Sequence, residues 1–274
     1  KVMIHKEISI QKKGSLKDTK LTTYFLDKSE EYEIGKKRPC ILICPGGAYR
    51  FTSDREAELV ALNLNCRGWH AAVLRYSCAP ARFPTALTEV AESVKLLKEH
   101  AEEWAIDPEK ILVMGFSAGG HLAASYGVFW NQDFVAEEAG CSSEMLKPFG
   151  LILCYPVITS DRTYTHEESI QNLIGDAGED LREKMSLEKQ VGKQVPQTFL
   201  WHTFEDDAVP FQNSLAFTAA LGKAGVPVEY HLFTPGEHGL SLASRTTRRA
   251  DGSGEVKECQ AWIELLWAWL DRIC

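Results

Sequence analysis

Residues 111–126 read ILVMGFSAGGHLAASY, and the reading of this stretch decides the fold. Ile111 to Met114 is a short apolar run after the turn signal Asp107-Pro108, the pattern of a buried parallel strand. From His121 to Trp130 the chain carries good helix formers and apolar residues at helical spacing. Strand must therefore become helix within a few residues. Such a reversal forces the central residue to positive φ, which is costly for a residue with a Cβ. Gly115 and Gly119, two positions to either side of Ser117, remove side chains that would collide. The pattern is G-x-S-x-G, a nucleophile elbow that lifts a serine hydroxyl above the sheet edge at the start of a helix. A glycine-rich turn with an incidental serine has the same letters, so the remainder of the chain must supply a base, an acid and an oxyanion site.

The flanking pattern supports a strand-helix alternation. EISIQ, a turn at Lys13-Gly14 and KLTTYFLD read as an N-terminal hairpin. PCILIC (39–44) is a buried strand, and Ser53 to Cys66 a helix with Ser53 as cap and Glu56 three residues on. His70 to Tyr76 is a strand, and Thr85 to Trp104 a helix with Leu87, Val90, Val94 and Leu97 on one stripe. After the elbow come strands at Phe149 to Tyr155, Thr198 to His202 and Val228 to Phe233, with helices over Gln212 to Lys223 and Glu255 to Cys274. This order predicts an α/β fold with a mostly parallel sheet, helices on both faces and an antiparallel N-terminal hairpin at one edge. Residues 131–148 are polar and read as surface. Residues 157–195, with helical pieces at Glu167–Ile174 and Glu179–Lys189, read as a small lid inserted in a single domain spanning 1–274.

A chain of 274 residues with 45% hydrophobic and 25% charged residues is ordinary for a globular protein. Its net charge of −8 argues against a nucleic-acid or anionic-membrane partner. No apolar run approaches the ~20 residues that span a bilayer, and KVMIHKEISI lacks the apolar core of a signal peptide. Of eight cysteines, Cys40, Cys44 and Cys154 sit in apolar strand-like runs and no C-x-x-C pair exists. These features predict a reduced, cytoplasmic protein. The run WIELLWAWL (262–270) is apolar on more than one face, so its excess either packs internally or forms a homodimer contact.

Ligands in such a sheet bind beyond the C-terminal ends of the strands, so each candidate group should follow a strand. Of the eight histidines, His238 meets this condition: it follows the last strand in TPGEHGL. His5, His100 and His166 follow no core strand, His70 begins one, His231 lies inside one, His202 sits where an acid is expected, and His121 packs or caps on the elbow helix. The acid should come from WHTFEDDAVP, which offers Glu205, Asp206 and Asp207, Asp206 first and Asp207 second. An acid there orients the imidazole and stabilises imidazolium. After PCILIC the chain runs into PGGAY, whose small residues let the N–H groups of Gly47 and Ala48 converge with that of Ala118 on an oxyanion. A dinucleotide site is the rival reading of this turn, but G-x-G-x-x-G is absent.

Serine, acid and histidine in this chain order, each at a strand end, resemble the α/β-hydrolases of the esterase/lipase superfamily over nearly the whole chain. PGGAY resembles the HGGG-type oxyanion motif with proline in place of histidine. Asp206 to Pro210 matches the family's Asp-x-x-Val-Pro acid loop, which selects Asp206 over Asp207. CPGGAY, SDREAE, LRYSCAPARFPTAL, GFSAGGHLA and the His-Gly loop are similar to a narrower group, the acetyl xylan esterase-like and feruloyl esterase-like carbohydrate esterases. The resemblance implies a serine carboxylesterase with Ser117, Asp206 and His238 as its triad and no metal or cofactor. Its substrate would be a small-molecule or oligosaccharide ester, and the short lid favours an acetyl group. Tyr49, Arg50, Arg55, Tyr76, Trp130 and Tyr155 lie near strand ends or motif borders. Tyr49, Arg55 and Tyr155 are assigned to substrate binding, with ordinary packing the alternative for the aromatics and pairing with Glu56 or Glu58 the alternative for Arg55. Two other readings remain: a serine peptidase of the same fold, which usually carries a large extra domain, and a hydrolase-fold binding protein, which tends to lose a triad member.

Overall fold

The computed structural model describes residues 2–274. Its strands are β1 (Glu7–Ser9), β2 (Lys20–Tyr24), β3 (Arg38–Cys44), β4 (His70–Arg75), β5 (Ile106–Phe116), β6 (Gly150–Cys154), β7 (Thr198–Thr203) and β8 (Val228–Phe233). They form one eight-stranded sheet in the order β1-β2-β4-β3-β5-β6-β7-β8. β1 and β2 pair antiparallel, β2 joins β4 antiparallel, and every pair from β4 to β8 is parallel. The helices are α1 (Glu58–Asn65), α2 (Thr85–Glu99), α3 (Ala118–Phe129), α4 (Asp133–Ala139), α5 (Ser143–Leu146), α6 (Glu167–Ile174), α7 (Glu179–Lys184), α8 (Gln212–Ala224) and α9 (Trp262–Ile273). No helix among the described residues is long and apolar enough to cross a membrane.

Alternation along the central strands divides the core into two layers. Cys40, Leu42 and Cys44 of β3 point into a layer with Val90 and Val94 of α2, Leu122 of α3 and Phe217 of α8. Ile41 and Ile43 point the other way, toward Val60 and Leu64 of α1 and Trp262 and Leu266 of α9. The fully buried cysteines of β3 and β6 act there as small hydrophobes. The apolar run at the C-terminus is mostly consumed by packing: Trp262, Leu266, Trp267, Trp269 and Leu270 are buried, with Trp262 stacked on Trp201 at 5.1 Å between ring centres.

Several boundaries differ from the sequence reading. The expected helix over 53–66 is broken: Asp54–Glu56 form one 3-10 turn, Ala57 leaves the helical region at φ −120° and ψ −104°, and α1 follows. Ser53 makes no side-chain capping bond, and Glu56 turns inward to accept the Gly46 N–H rather than back toward Ser53. α2 stops at Glu99, and Trp104 is buried against Phe25 as the chain turns toward β5. β5 begins before the Asp107-Pro108 signal, and its pairing shifts register against β3 between Arg38 and Cys40. Residues 131–148 are not merely surface. They form α4 and α5, which bury Val135, Ala139 and Leu146 and pack against α2. The C-terminal helix begins with a 3-10 segment over Lys257–Ala261 before α9.

Two buried histidines couple this packing to pH. His70 accepts a hydrogen bond at Nδ1 from the Leu26 N–H at 3.1 Å. His121 donates from Nε2 to the Met185 carbonyl at 3.0 Å and accepts at Nδ1 from the Tyr49 hydroxyl at 3.0 Å. Burial, joined at His70 by the nearby Arg38 charge, pulls each from an ordinary 6.5 down to about 4. Below pH 6.5 the unfolded chain takes up these protons while the folded chain resists them. The stabilisation is complete above pH 6.5 and is lost as pH falls toward 4. Urea unfolding should show stability declining across that window by up to about 1.4 kcal/mol per pH unit for each of the two protons. His121→Gln should flatten the slope by one proton's share.

Candidate active site

Ser117 sits between β5 and α3 with φ 54° and ψ −119°. Its N–H donates to the Cys154 carbonyl and its own carbonyl accepts from the Val157 N–H, both at 3.0 Å. The strained residue is thus bonded to both ends of the β6 exit. A Cβ on Gly115 would run into the backbone of Gly119, and one on Gly119 into the carbonyl oxygens of Cys44 and Pro45. The elbow is therefore squeezed between its own helix and the end of β3, which is what the small residues permit.

The Ser117 hydroxyl donates to His238 Nε2 at 2.7 Å, and His238 Nδ1 donates to Asp206 Oδ2 at 2.6 Å. Asp206 follows β7 and is 6% exposed. Its Oδ1 accepts from the N–H groups of Ala208 and Val209 at 3.1 and 2.8 Å. Its Oδ2 also lies 3.2 Å from Nε2 of the buried His202, which donates to the Val209 carbonyl at 2.8 Å. Burial alone would raise the Asp206 carboxyl, but hydrogen bonds from His202 and His238 outweigh it and hold the group well below the usual carboxylate range. Glu205 and Asp207 are exposed, with Glu205 accepting from the Gly236 N–H.

The loop carrying His238 is clamped from behind. Arg249 bonds to the His238 carbonyl and pairs with Glu237 at 2.7 Å. Arg55 donates to the carbonyls of Gly239 and Thr247 at 2.9 and 2.6 Å. Tyr155 packs its ring edge-on to His238 at 5.2 Å. Its hydroxyl donates to Glu56 Oε1 at 2.7 Å and accepts from the Ser241 N–H at 2.8 Å.

Beyond β3 the backbone turns left-handed at Gly47, Ala48 and Tyr49, with φ of 133°, 55° and 54°. Among the described residues, no bond within the chain occupies the N–H of Gly47 or Ala48. Ala118, the first residue of α3, has no carbonyl one turn earlier for its N–H. Gly47, Ala48, Ser117 and His238 line one cleft of about 250 Å³, together with Phe51, Glu56, His166, Glu168 and Arg249.

The structure does not put the sequence-assigned substrate residues in this cleft. Tyr49 and Tyr155 are each 2% exposed and use their hydroxyls internally. Arg55 pairs with neither Glu56 nor Glu58 and instead braces the His238 loop. Tyr76 and Trp130 are buried as well, donating to the Pro45 and Gln194 carbonyls. Only Arg50 of the wider group faces the cleft, paired with Glu168 at 2.8 Å. His166 also lines the cleft, although it precedes α6 and follows no strand, so the strand-end rule does not find it. Burial and the neighbouring His238 charge both lower its pKa.

A mostly parallel sheet with a serine elbow after β5, an acid after β7 and a histidine after β8 defines an α/β-hydrolase. The BD-FAE family model matches residues 26–221, and the chain belongs to that family of α/β-hydrolases. It is 38% identical over 216 residues to endo-1,4-beta-xylanase B of Butyrivibrio fibrisolvens, a match covering 76% of this chain and 33% of that protein. It is 26% identical over 206 residues to an acetylxylan esterase of Xylanibacter ruminicola, covering 73% of this chain and 40% of the relative. The chain thus spans well under half the length of these two relatives. Among solved structures, an acetyl ester-xyloside bifunctional hydrolase from Caldicellulosiruptor lactoaceticus is 38% identical with a TM-score of 0.74, covering 90% of this chain and 88% of that one.

The crowding at the elbow gives a structural expectation. Gly119→Ala should cost at least about 1–3 kcal/mol, since the collision is with backbone that has no rotamer to relieve it. Calorimetry should show a Tm several degrees lower. An unchanged Tm would mean the β3 exit yields easily.

Proposed function

We propose that the chain is a serine carboxylesterase that removes short acyl groups, acetyl above all, from carbohydrate esters such as acetylated xylo-oligosaccharides. The observation that carries this reading is the unbroken chain of bonds from Ser117 Oγ through His238 to Asp206, opening on a small cleft that Arg50, His166, Glu168 and Arg249 help to line. In the proposed reaction His238 Nε2 takes the Ser117 proton as Oγ bonds to the ester carbonyl carbon. The carbonyl electron pair moves onto oxygen, facing the N–H groups of Gly47, Ala48 and Ala118. Collapse breaks the bond to the alcohol, which leaves with the proton from His238. Water repeats the steps, releasing the acid and restoring Ser117. Asp206, ionised throughout the neutral range, keeps the His238 Nδ1 proton in place.

The cleft supports the substrate class. About 250 Å³ is small for a long acyl chain. Arg50, Glu168, His166 and Arg249 offer hydrogen bonds to hydroxyls, and the half-exposed Phe51 ring offers a face to a sugar. The acetyl ester-xyloside hydrolase and acetylxylan esterase relatives point to the same chemistry. We read residues 157–195 as a cover over the cleft within a single domain.

The test is hydrolysis of p-nitrophenyl acetate, butyrate and octanoate beside acetylated xylo-oligosaccharides, with Ser117→Ala as control. Serine-dependent turnover preferring acetyl and releasing acetate from the oligosaccharide is expected. Peptide cleavage without ester cleavage, or ligand binding without turnover, would overturn the reading. Asp206→Asn should keep the fold and lower kcat by about 10⁴-fold.

A further inference from the structure

The turn after β3 combines two costly features. Gly47, Ala48 and Tyr49 are left-handed in succession, and two of them carry a Cβ. Its exposed N–H groups must also stay aimed at one point while substrate comes and goes. Local bonds hold part of it: the N–H groups of Arg50 and Phe51 return to the Gly47 carbonyl, and that of Ser53 to the Gly46 carbonyl. Two further bonds reach the turn from distant side chains. Glu56 Oε2 accepts the Gly46 N–H at 2.7 Å. Asn172, on α6 of the 157–195 segment, donates from Nδ2 to the Ala48 carbonyl at 2.9 Å.

We propose that Glu56 and Asn172 are positioning residues for ester hydrolysis, holding the Gly46–Ala48 turn from opposite sides so that its free N–H groups face the oxyanion. The inference rests on the esterase reading above. Each residue has a location suited to the role. Glu56 is charged yet only 3% exposed, and the break between the 3-10 turn and α1 follows directly on it. A Cβ built on Gly46 would lie 2.7 Å from Glu56 Oε2 and 2.9 Å from Ser117 Cβ, so the carboxylate, the turn and the nucleophile are packed in immediate succession. Through its other oxygen Glu56 binds Tyr155, whose hydroxyl also receives the Ser241 N–H beyond His238. One carboxylate therefore sets the distance between the oxyanion turn and the loop of the base.

Asn172 acts on the other side. α6 is anchored for this by the Phe83 N–H donating to the Leu173 carbonyl at 2.9 Å and by Arg82 bonding to the Asn172 carbonyl. The Arg50–Glu168 pair adds a second tie between α6 and the same turn. The amide fixes Ala48 by its carbonyl, and the N–H of that residue is left free for the substrate. A donor is required at this position: aspartate has the shape of asparagine but cannot donate when ionised.

The experiment compares wild type, Glu56→Gln, Glu56→Ala, Asn172→Asp, Asn172→Ala and the Glu56→Ala/Asn172→Ala pair on p-nitrophenyl acetate. Active sites are titrated with a fluorophosphonate so that kcat refers only to folded, reactive enzyme. Affinities are measured for a trifluoromethyl ketone, which mimics the tetrahedral adduct, and for acetate. Misplacing an oxyanion donor costs up to about 10²–10³-fold. Asn172→Asp, Asn172→Ala and Glu56→Ala should lower kcat per titrated site by about 10- to 100-fold and weaken the ketone in parallel. KM and acetate affinity should change by less than about threefold. Glu56→Gln, which can still accept the Gly46 N–H, should recover most of the loss seen in Glu56→Ala. The double variant should lose less than the product of its parts, because both bonds restrain one turn. Wild-type kcat per titrated site in the variants, or losses confined to KM or Tm, would overturn the proposal while leaving the esterase reading intact. No serine-dependent turnover in the wild type would overturn both.

Discussion

The left-handed backbone at Ser117 is the constraint on which the other parts depend. A residue with a Cβ stays at φ 54° only where its surroundings over-determine it. Here the Ser117 N–H is tied to the exit of β6 and its carbonyl to the segment just beyond. The helix that follows passes so close to the end of β3 that only glycine fits at position 119. These contacts fix the spacing of β3, β5 and β6 at their C-terminal ends. The same spacing puts the turn after β3 beside the serine. The acid after β7 and the histidine after β8 then need only reach inward across the crevice that the strand order creates.

Parts of the molecule with short-range causes were legible in the sequence. The apolar strands, the hairpin at the sheet edge and the elbow each rest on local pattern. The rule that site groups follow strands brought Ser117, Asp206 and His238 to one place in the structure. What was missed has long-range causes. Glu56 looked like the partner of a helix cap because Ser53 stands three residues before it, and nothing local reveals that its carboxylate serves Gly46 and Tyr155. Tyr49 and Tyr155 looked like cleft walls because they lie at a motif border and a strand end, yet both are buried in the core. His166 escaped because the strand-end rule cannot see a residue delivered by an insertion, and the polar stretch 131–148 hid the few apolar residues that dock α4 and α5.

Behind the visible site lies an inner layer whose groups serve the loops. Arg55 and Arg249 hold carbonyls on either side of the peptide after His238, Tyr155 packs on the imidazole, and His202 shares the carboxylate oxygen that receives the His238 proton. The charges of this layer are offset where they lie. Asp206 accepts three hydrogen bonds, two of them from backbone N–H groups, and has the His202 imidazole 3.2 Å away, so it remains an anion in a buried place. The histidine loop follows an edge strand that is only half-buried, and these outside clamps replace the packing that a central strand would have supplied.

The bond from Asn172 to the Ala48 carbonyl has a consequence for how such a chain can change. The connection between β6 and β7 carries Asn172 together with His166 and Glu168, which line the cleft beside Ser117. A new segment grafted there would change the wall of the cleft, and it would also remove a restraint on the turn beside Ser117. The wall of the cleft and the hold on the turn are thus carried by one helix, Glu168 in its first turn and Asn172 near its end, and neither can be exchanged without disturbing the other.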